Sequence, residues 1–171
     1  MLASAAERPA VRAEHVRLAE EMSLLVEENR WDGVDDYYRR LLSIRGVKPT
    51  YQDHWLGAQA ASAQGDVRET WIRLQQALAV EFTDEALAWW ASLSARYGEV
   101  SIKTRRSYSG EHSLRVMVPP MDPEPRATIE AARAALAETQ GYQGPLPLGQ
   151  YRIGDLTFEV LGGPSFAVVL R

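Results

Sequence analysis

The chain has 171 residues, 46% of them hydrophobic and 25% charged, with no cysteine and a formal net charge of −4. That length supports one good core or two modest ones, and the missing thiols exclude disulfides, thiolate metal sites, iron–sulfur clusters and cysteine nucleophiles. The acidic balance argues against a dedicated nucleic-acid binder, and no run approaches the roughly 18 apolar residues of a membrane span.

The first residues, MLASAAERPAVRAEH, meet charge at Glu7 and Arg8. They therefore lack the apolar core of about 7–15 residues that a secretory leader needs. The expected location is cytoplasmic, with the periplasm or cell envelope as the alternative if a leader has been removed. From here to Tyr97 the chain shows helical periodicity, and five helices are expected. Leu18, Met22, Leu25, Val26 and Asn29 share one helical face, and Val34, Tyr37, Tyr38, Leu41 and Leu42 form the next stripe. Gly46 and Pro49 end that second helix. A third segment runs from about Thr50 to Gln64, where Gly57, Ala58, Ala60 and Ala61 permit close approach of a neighbour. Gly65-Asp66 is a turn, and Asp66 can cap a fourth helix with the stripe Thr70, Trp71, Leu74, Ala77 and Leu78. Thr83 caps a fifth helix, with Ala86, Trp90, Leu93 and Tyr97 along one face.

Beyond Tyr97-Gly98 the texture changes. Gly98 follows the last helical stripe as a C-terminal cap would. The first 97 residues hold 15 acidic and 11 basic residues and therefore all of the net charge, whereas the remainder holds 8 of each. Alternation with a period of two marks Val100–Ile102, Leu114–Val118, Tyr151–Ile153, Leu156–Val160 and Phe166–Leu170, which predicts an antiparallel β-assembly. One helix interrupts it. Asp122 and Pro123 supply an N-cap and a first-turn proline, Ile129, Ala132, Leu136 and Thr139 form its stripe, and Gly141 ends it. The expected fold class is α+β, with a helical domain over 1–97 and a β-domain over 98–171 that carries the helix at 123–140.

The helical part repeats internally. NRWDGVDDYYRRLL (29–42) superposes on GDVRETWIRLQQAL (65–78) at an offset of 36 residues, bringing Val34 onto Thr70, Tyr38 onto Leu74 and Leu41 onto Ala77. With Gly65-Asp66 at the turn, Thr70, Leu74 and Ala77 at the packing positions and Pro49 at a repeat end, residues 12–97 resemble the tetratricopeptide repeat family. The departures are the offset of 36 against the usual 34, and a tryptophan-leucine-glycine only approximated by Trp55-Leu56-Gly57. A third difference is that the final unit is a single helix, as a capping element would be. In the second part, Leu146-Pro147-Leu148-Gly149-Gln150-Tyr151, Phe158–Gly163 and Phe166–Leu170 resemble a PEGA-type β-domain opened by Tyr97–Ile102. The helix at 123–140 would be an insertion in that pattern. The resemblance implies an envelope setting, in tension with the N-terminal reading.

Catalytic constellations are not evident. His15, His54 and His112 do not share a metal-ligand spacing. The pairs Glu20-Glu21, Glu27-Glu28, Asp35-Asp36 and Asp84-Glu85 point about 100° apart on a helix and read as solvated faces. No nucleophile elbow, dinucleotide fingerprint or P-loop is present. No cofactor and no metal are expected, and the chain does not read as an enzyme. His54, between Asp53 and Trp55 on the inner face of the repeat, is the candidate ligand contact. Met22, Tyr51 and Trp55 would line the same groove between the first and third helices. Trp89 and Trp90, adjacent on one helix, cannot both face one core stripe, so one docks the β-domain or meets a partner. Lys103, Arg105 and Arg106 in a hairpin form a basic cluster that either grips an acidic group or protects a strand end.

The expected function is a non-enzymatic interaction module. It would hold a protein or peptide segment in the groove, with the β-domain as second contact surface or spacer and with no nucleic acid and no membrane insertion. The alternative is a small structural subunit of a larger assembly. An enzyme centred on His54 with Tyr51 and Asp53 is the third reading.

Overall fold

In the computed structural model, residues 7–104, 113–162 and 166–169 are described. The fold is α+β. Five helices come first: α1 (Glu7–Glu27), α2 (Trp31–Ser43), α3 (Tyr51–Ala63), α4 (Val67–Val80) and α5 (Asp84–Ser94). Strands β1 (Tyr97–Lys103) and β2 (Arg115–Val116) follow, then α6 (Pro123–Thr139). The strands β3 (Gly141–Pro147), β4 (Gly149–Ile153), β5 (Leu156–Val160) and β6 (Phe166–Val169) complete the chain.

The chain divides into two compact units, Met1–Leu87 and Ala88–Arg171. The divide falls inside α5 rather than at Gly98. Residues 88–94 of α5 belong with the strands; Leu93 among them is buried, and just beyond the helix the Arg96 carbonyl accepts from Leu148 N at 3.0 Å. Gly98 is therefore not a helix cap. It lies in β1, where an added Cβ would collide with the Leu161 carbonyl oxygen. Tyr97 opens the same strand.

In the first unit, α1 packs on α2, α2 on α3 and α3 on α4, and α1 also touches α3. The stripes drive this packing. Leu18, Met22 and Leu25 of α1 are buried, as are Val34, Tyr38 and Leu41 of α2. Each such apolar side chain contributes on the order of 1.5–3 kcal/mol by leaving water. Leu42 is 46% exposed and Tyr37 half-buried, so the second stripe is narrower than its sequence pattern. Thr50 and Asp53 form a reciprocal capping box at α3, and the Asp66 side chain accepts from Glu69 N at 2.9 Å. Thr83 Oγ1 accepts from Ala86 N at 3.2 Å, capping α5 as expected.

The internal repeat extends to backbone geometry. Asn29 is not on the α1 stripe. It turns the chain at φ +56°, and Gly65 does the same 36 residues later at φ +73°. Four hydrogen bonds recur with that offset. Glu28 N to Leu24 O matches Gln64 N to Ala60 O, both 3.2 Å. Asn29 N to Val26 O matches Gly65 N to Ser62 O, both 3.0 Å. Arg30 N to Leu25 O matches Asp66 N to Ala61 O, both 2.9 Å. Val34 N to Arg30 O (3.1 Å) matches Thr70 N to Asp66 O (2.9 Å). Both turns thus close their helix C-termini with a left-handed residue and a 6→1 bond, which satisfies carbonyls the helix leaves open.

The second unit holds two three-stranded sheets, ordered β3-β1-β6 and β2-β4-β5. Three pairings are antiparallel, whereas β1 and β6 run parallel, with Val100 opposite Phe166. The strand β3 carries Pro145 and Pro147, which disguise it in the sequence. It is an edge strand, where a missing N–H costs no internal ladder bond. Helix α6 packs on β3, with Ile129, Ala132 and Leu136 facing the core and Thr139 exposed. Asp122 occupies its N-cap position without a side-chain bond, and Gln140, not Gly141, takes the left-handed C-cap at φ +57°. Among the described residues no helix is long and apolar enough to cross a membrane.

Candidate functional site

The polar side chains buried in the first unit converge on α3. Thr50 starts that helix, and one Asp53 oxygen accepts from Thr50 N (2.7 Å) and Thr50 Oγ1 (2.8 Å). The same oxygen lies 2.8 Å from His15 Nε2 of α1. The next residue, His54, turns the other way. Its Nδ1 stands 2.8 Å from the Tyr38 hydroxyl of α2, and that hydroxyl donates to Gln76 Oε1 of α4 at 3.1 Å. Two consecutive residues of α3 therefore tie it to the other three helices, because adjacent helical positions point about 100° apart.

One turn along, Arg73 of α4 enters the core with its side chain 3% exposed. Its Nη1 donates to Asp35 Oδ1 at 2.6 Å and to the Gly57 carbonyl at 2.9 Å, and its Nε reaches Glu69 at 3.3 Å. The guanidinium carbon lies 4.6 Å from the centre of the Tyr38 ring, within cation–π range. Asp35 also receives Arg39 from outside at 2.7 Å. A buried arginine needs this many partners, because an unpaired charge away from water costs several kcal/mol. Gly57 makes the packing possible, since a Cβ there would stand 2.8 Å from the Tyr38 ring.

Burial pushes the Tyr38 hydroxyl up to about 12, against the opposing pull of Arg73. Burial also lowers His54 from its ordinary value, against the opposing effect of Asp53. At neutral pH the phenol is protonated and the imidazole neutral. A phenol pushed upward stays protonated at neutral pH and keeps its hydrogen bonds, so this pair ties α2 to α3.

Between α2 and α4 the surface opens into a cleft of about 410 Å³. Tyr38 and Arg73 line it with Arg39, Leu42, Asp66, Glu69, Ile72 and Gln76. The buried network thus borders an open surface, since Tyr38 and Arg73 line this cleft.

That groove is closed where the sequence placed it. Met22, His54 and Trp55 are buried, and Tyr51 is half-buried, stacked on Trp55 with ring centres 5.9 Å apart. The physical reason is that residues 53–58 of α3 are all buried, more than a full turn, so the middle of the helix is covered all round, and only Gln52 and the C-terminal end are exposed. The Tyr51 hydroxyl pairs with Thr83 Oγ1 at 2.8 Å. Trp89 and Trp90 are both half-buried on α5. Lys103 is exposed at the end of β1, whereas Arg105, Arg106 and His112 lie outside the described residues.

Sequence reasoning missed the Asp35–Arg73 pair. Asp35 is buried and Asp36 exposed, so these two are not both on a solvated face. The available signal was Arg73 itself, three residues after Thr70 and four before Ala77, inside an apolar stripe.

No protein-family model, curated protein or solved structure matches the chain. The likenesses to tetratricopeptide repeats and PEGA domains rest on the chain's own residues.

Proposed function

We propose that the chain is a non-catalytic interaction module that holds a segment of another protein against its helical hairpins. The observation that carries this reading is the duplicated turn, with four backbone hydrogen bonds recurring at an offset of 36 residues. Stacked hairpins of one geometry form a solenoid-like scaffold, and such scaffolds work by presenting extended surfaces. The tetratricopeptide likeness points the same way. The contact surface is the α2–α4 cleft, where Leu42 and Ile72 offer apolar contact between the charged groups of Arg39 and Glu69. The strand unit serves as a second contact surface or a spacer.

The test is affinity capture with the whole chain, comparing wild type with Leu42→Arg in the cleft and Leu156→Arg on β5. Both positions are exposed, so circular dichroism is expected to be unchanged. A partner captured by wild type and by Leu156→Arg but lost with Leu42→Arg supports the reading. Equal capture by all three removes the cleft as the contact surface.

A second reading, a structural subunit of a larger assembly, is favoured by one surface. Met117, Val118 and Met121 are 54%, 81% and 85% exposed around Pro119-Pro120. Light scattering over a concentration series decides it, because self-assembly through this segment raises the mass and Val118→Asp lowers it again.

A further inference from the structure

We propose that His54 is an acid-sensitive latch, whose protonation releases Tyr38 and, through it, Gln76 at the wall of the α2–α4 cleft. The geometry carries the inference. His54 is 7% exposed and holds α3 to α2 and α4 through one hydroxyl. With the phenol proton directed at Gln76, the imidazole donates from Nδ1, and its Nε2 lone pair takes the acid proton. A second cation then lies against the same tyrosine that carries the Arg73 guanidinium.

The adjacent Asp53 favours the charged ring, but burial outweighs it. From α2, Asp35 is already held by Arg73 and Arg39. From α4, Glu69 is held by Arg73. On α3, Asp53 is held by Thr50 and by His15 of α1. The charged ring is therefore drawn toward water, and the hydroxyl bridge goes with it. The sign follows from burial, which lowers His54 in the folded chain below its ordinary 6.5. The folded state binds fewer protons than the unfolded one across that window. Stability is full above about pH 6.5 and is lost as the pH falls through the folded value. The latch is a property of the helical unit and holds whatever occupies the cleft.

The test follows the imidazole signals of His54 and the side-chain amide of Gln76 by NMR from about pH 7.5 to pH 5. Urea unfolding is run at both ends for wild type and His54→Gln. The proposal expects His54 to titrate below a free histidine, with the Gln76 amide shifting at the same midpoint. It also expects a fall in the wild-type urea midpoint that His54→Gln largely removes. A His54 that titrates at or above the free value overturns it, as does a Gln76 amide that ignores that titration. An equal acid loss in His54→Gln also overturns it. If His54→Gln does not fold, the two wild-type NMR titrations decide alone, and His15→Gln checks that the half-buried His15 is not the source.

Discussion

The two units solve the problem of buried polarity in different ways. The helical unit encloses charge, with Asp35, Asp53 and Arg73 all inside beside the neutral His54. The strand unit has an apolar core that includes Val100, Ile102, Leu114, Leu136 and Ile153, and its buried polar atoms are mostly tyrosine hydroxyls. Tyr142 donates to the Pro145 carbonyl at 2.7 Å and Tyr151 to the Pro147 carbonyl at 2.8 Å. A helix satisfies its own backbone, so polar side chains between helices must find one another, and the charges of different helices become interdependent. An edge strand with prolines leaves carbonyls to be met, and a nearby phenol meets each one, Tyr142 from β3 itself and Tyr151 from β4. The helical unit should therefore fail through its partners, and the strand unit position by position.

Arg73→Ala gives the largest expected effect. It leaves Asp35 buried against an exposed Arg39 alone and removes the bond to the Gly57 carbonyl. Breaking one side of such a pair costs about 3–5 kcal/mol, read as a fall in the urea unfolding midpoint. The comparison sharpens with the double change Arg73→Met and Asp35→Leu, which is expected to recover much of the loss because no charge is then left unpaired. No recovery in the double variant would place the cost in packing instead.

Gly98→Ala is the strand unit's counterpart. The new Cβ meets the Leu161 backbone, and backbone cannot step aside as a side chain can. Overpacking of this kind costs about 1–3 kcal/mol, and the unfolding transition should shift without any change in its dependence on pH between about 5 and 7.5. Tyr151→Phe is expected to cost about 1 kcal/mol, the worth of one buried hydrogen bond, again by urea unfolding.

Periodicity exposes what is local. The stripes of α2 and α4, the caps at Thr83 and Asp66 and the alternation of β4 and β5 are all readable, because each depends on residues within a turn or two. What lies across the chain is not. Arg73 reads as a helical residue with a charge, and only the fold shows that Asp35, 38 residues away, answers it. Pro145 and Pro147 hide β3, because their placement is permitted only by its position at a sheet edge, which is a fact of topology. The parallel pairing of β1 and β6 is hidden for the same reason. Met22 and Trp55 look like groove residues because the repeat resemblance puts the first and third helices on an inner face, and the sequence cannot say that these positions are covered.

The repeat itself supplies the smallest and most specific prediction. Asn29 and Gly65 occupy equivalent positions with positive φ, but only glycine adopts that conformation without a Cβ penalty. Asn29 is exposed and its neighbours lie in the backbone turn. Asn29→Gly should therefore stabilise the first hairpin by a few tenths of a kcal/mol, and at most about 1 kcal/mol. Gly65→Asn should lose a similar amount at the second, where an added Cβ meets nothing within 4 Å and the backbone alone sets the cost. Thermal unfolding of the two single variants and their combination separates the cases. Opposite shifts that cancel in the combination mean that the two turns are energetically as well as geometrically equivalent. A loss on Asn29→Gly would mean that the asparagine side chain adds something at the first turn that the shared hydrogen bonds do not.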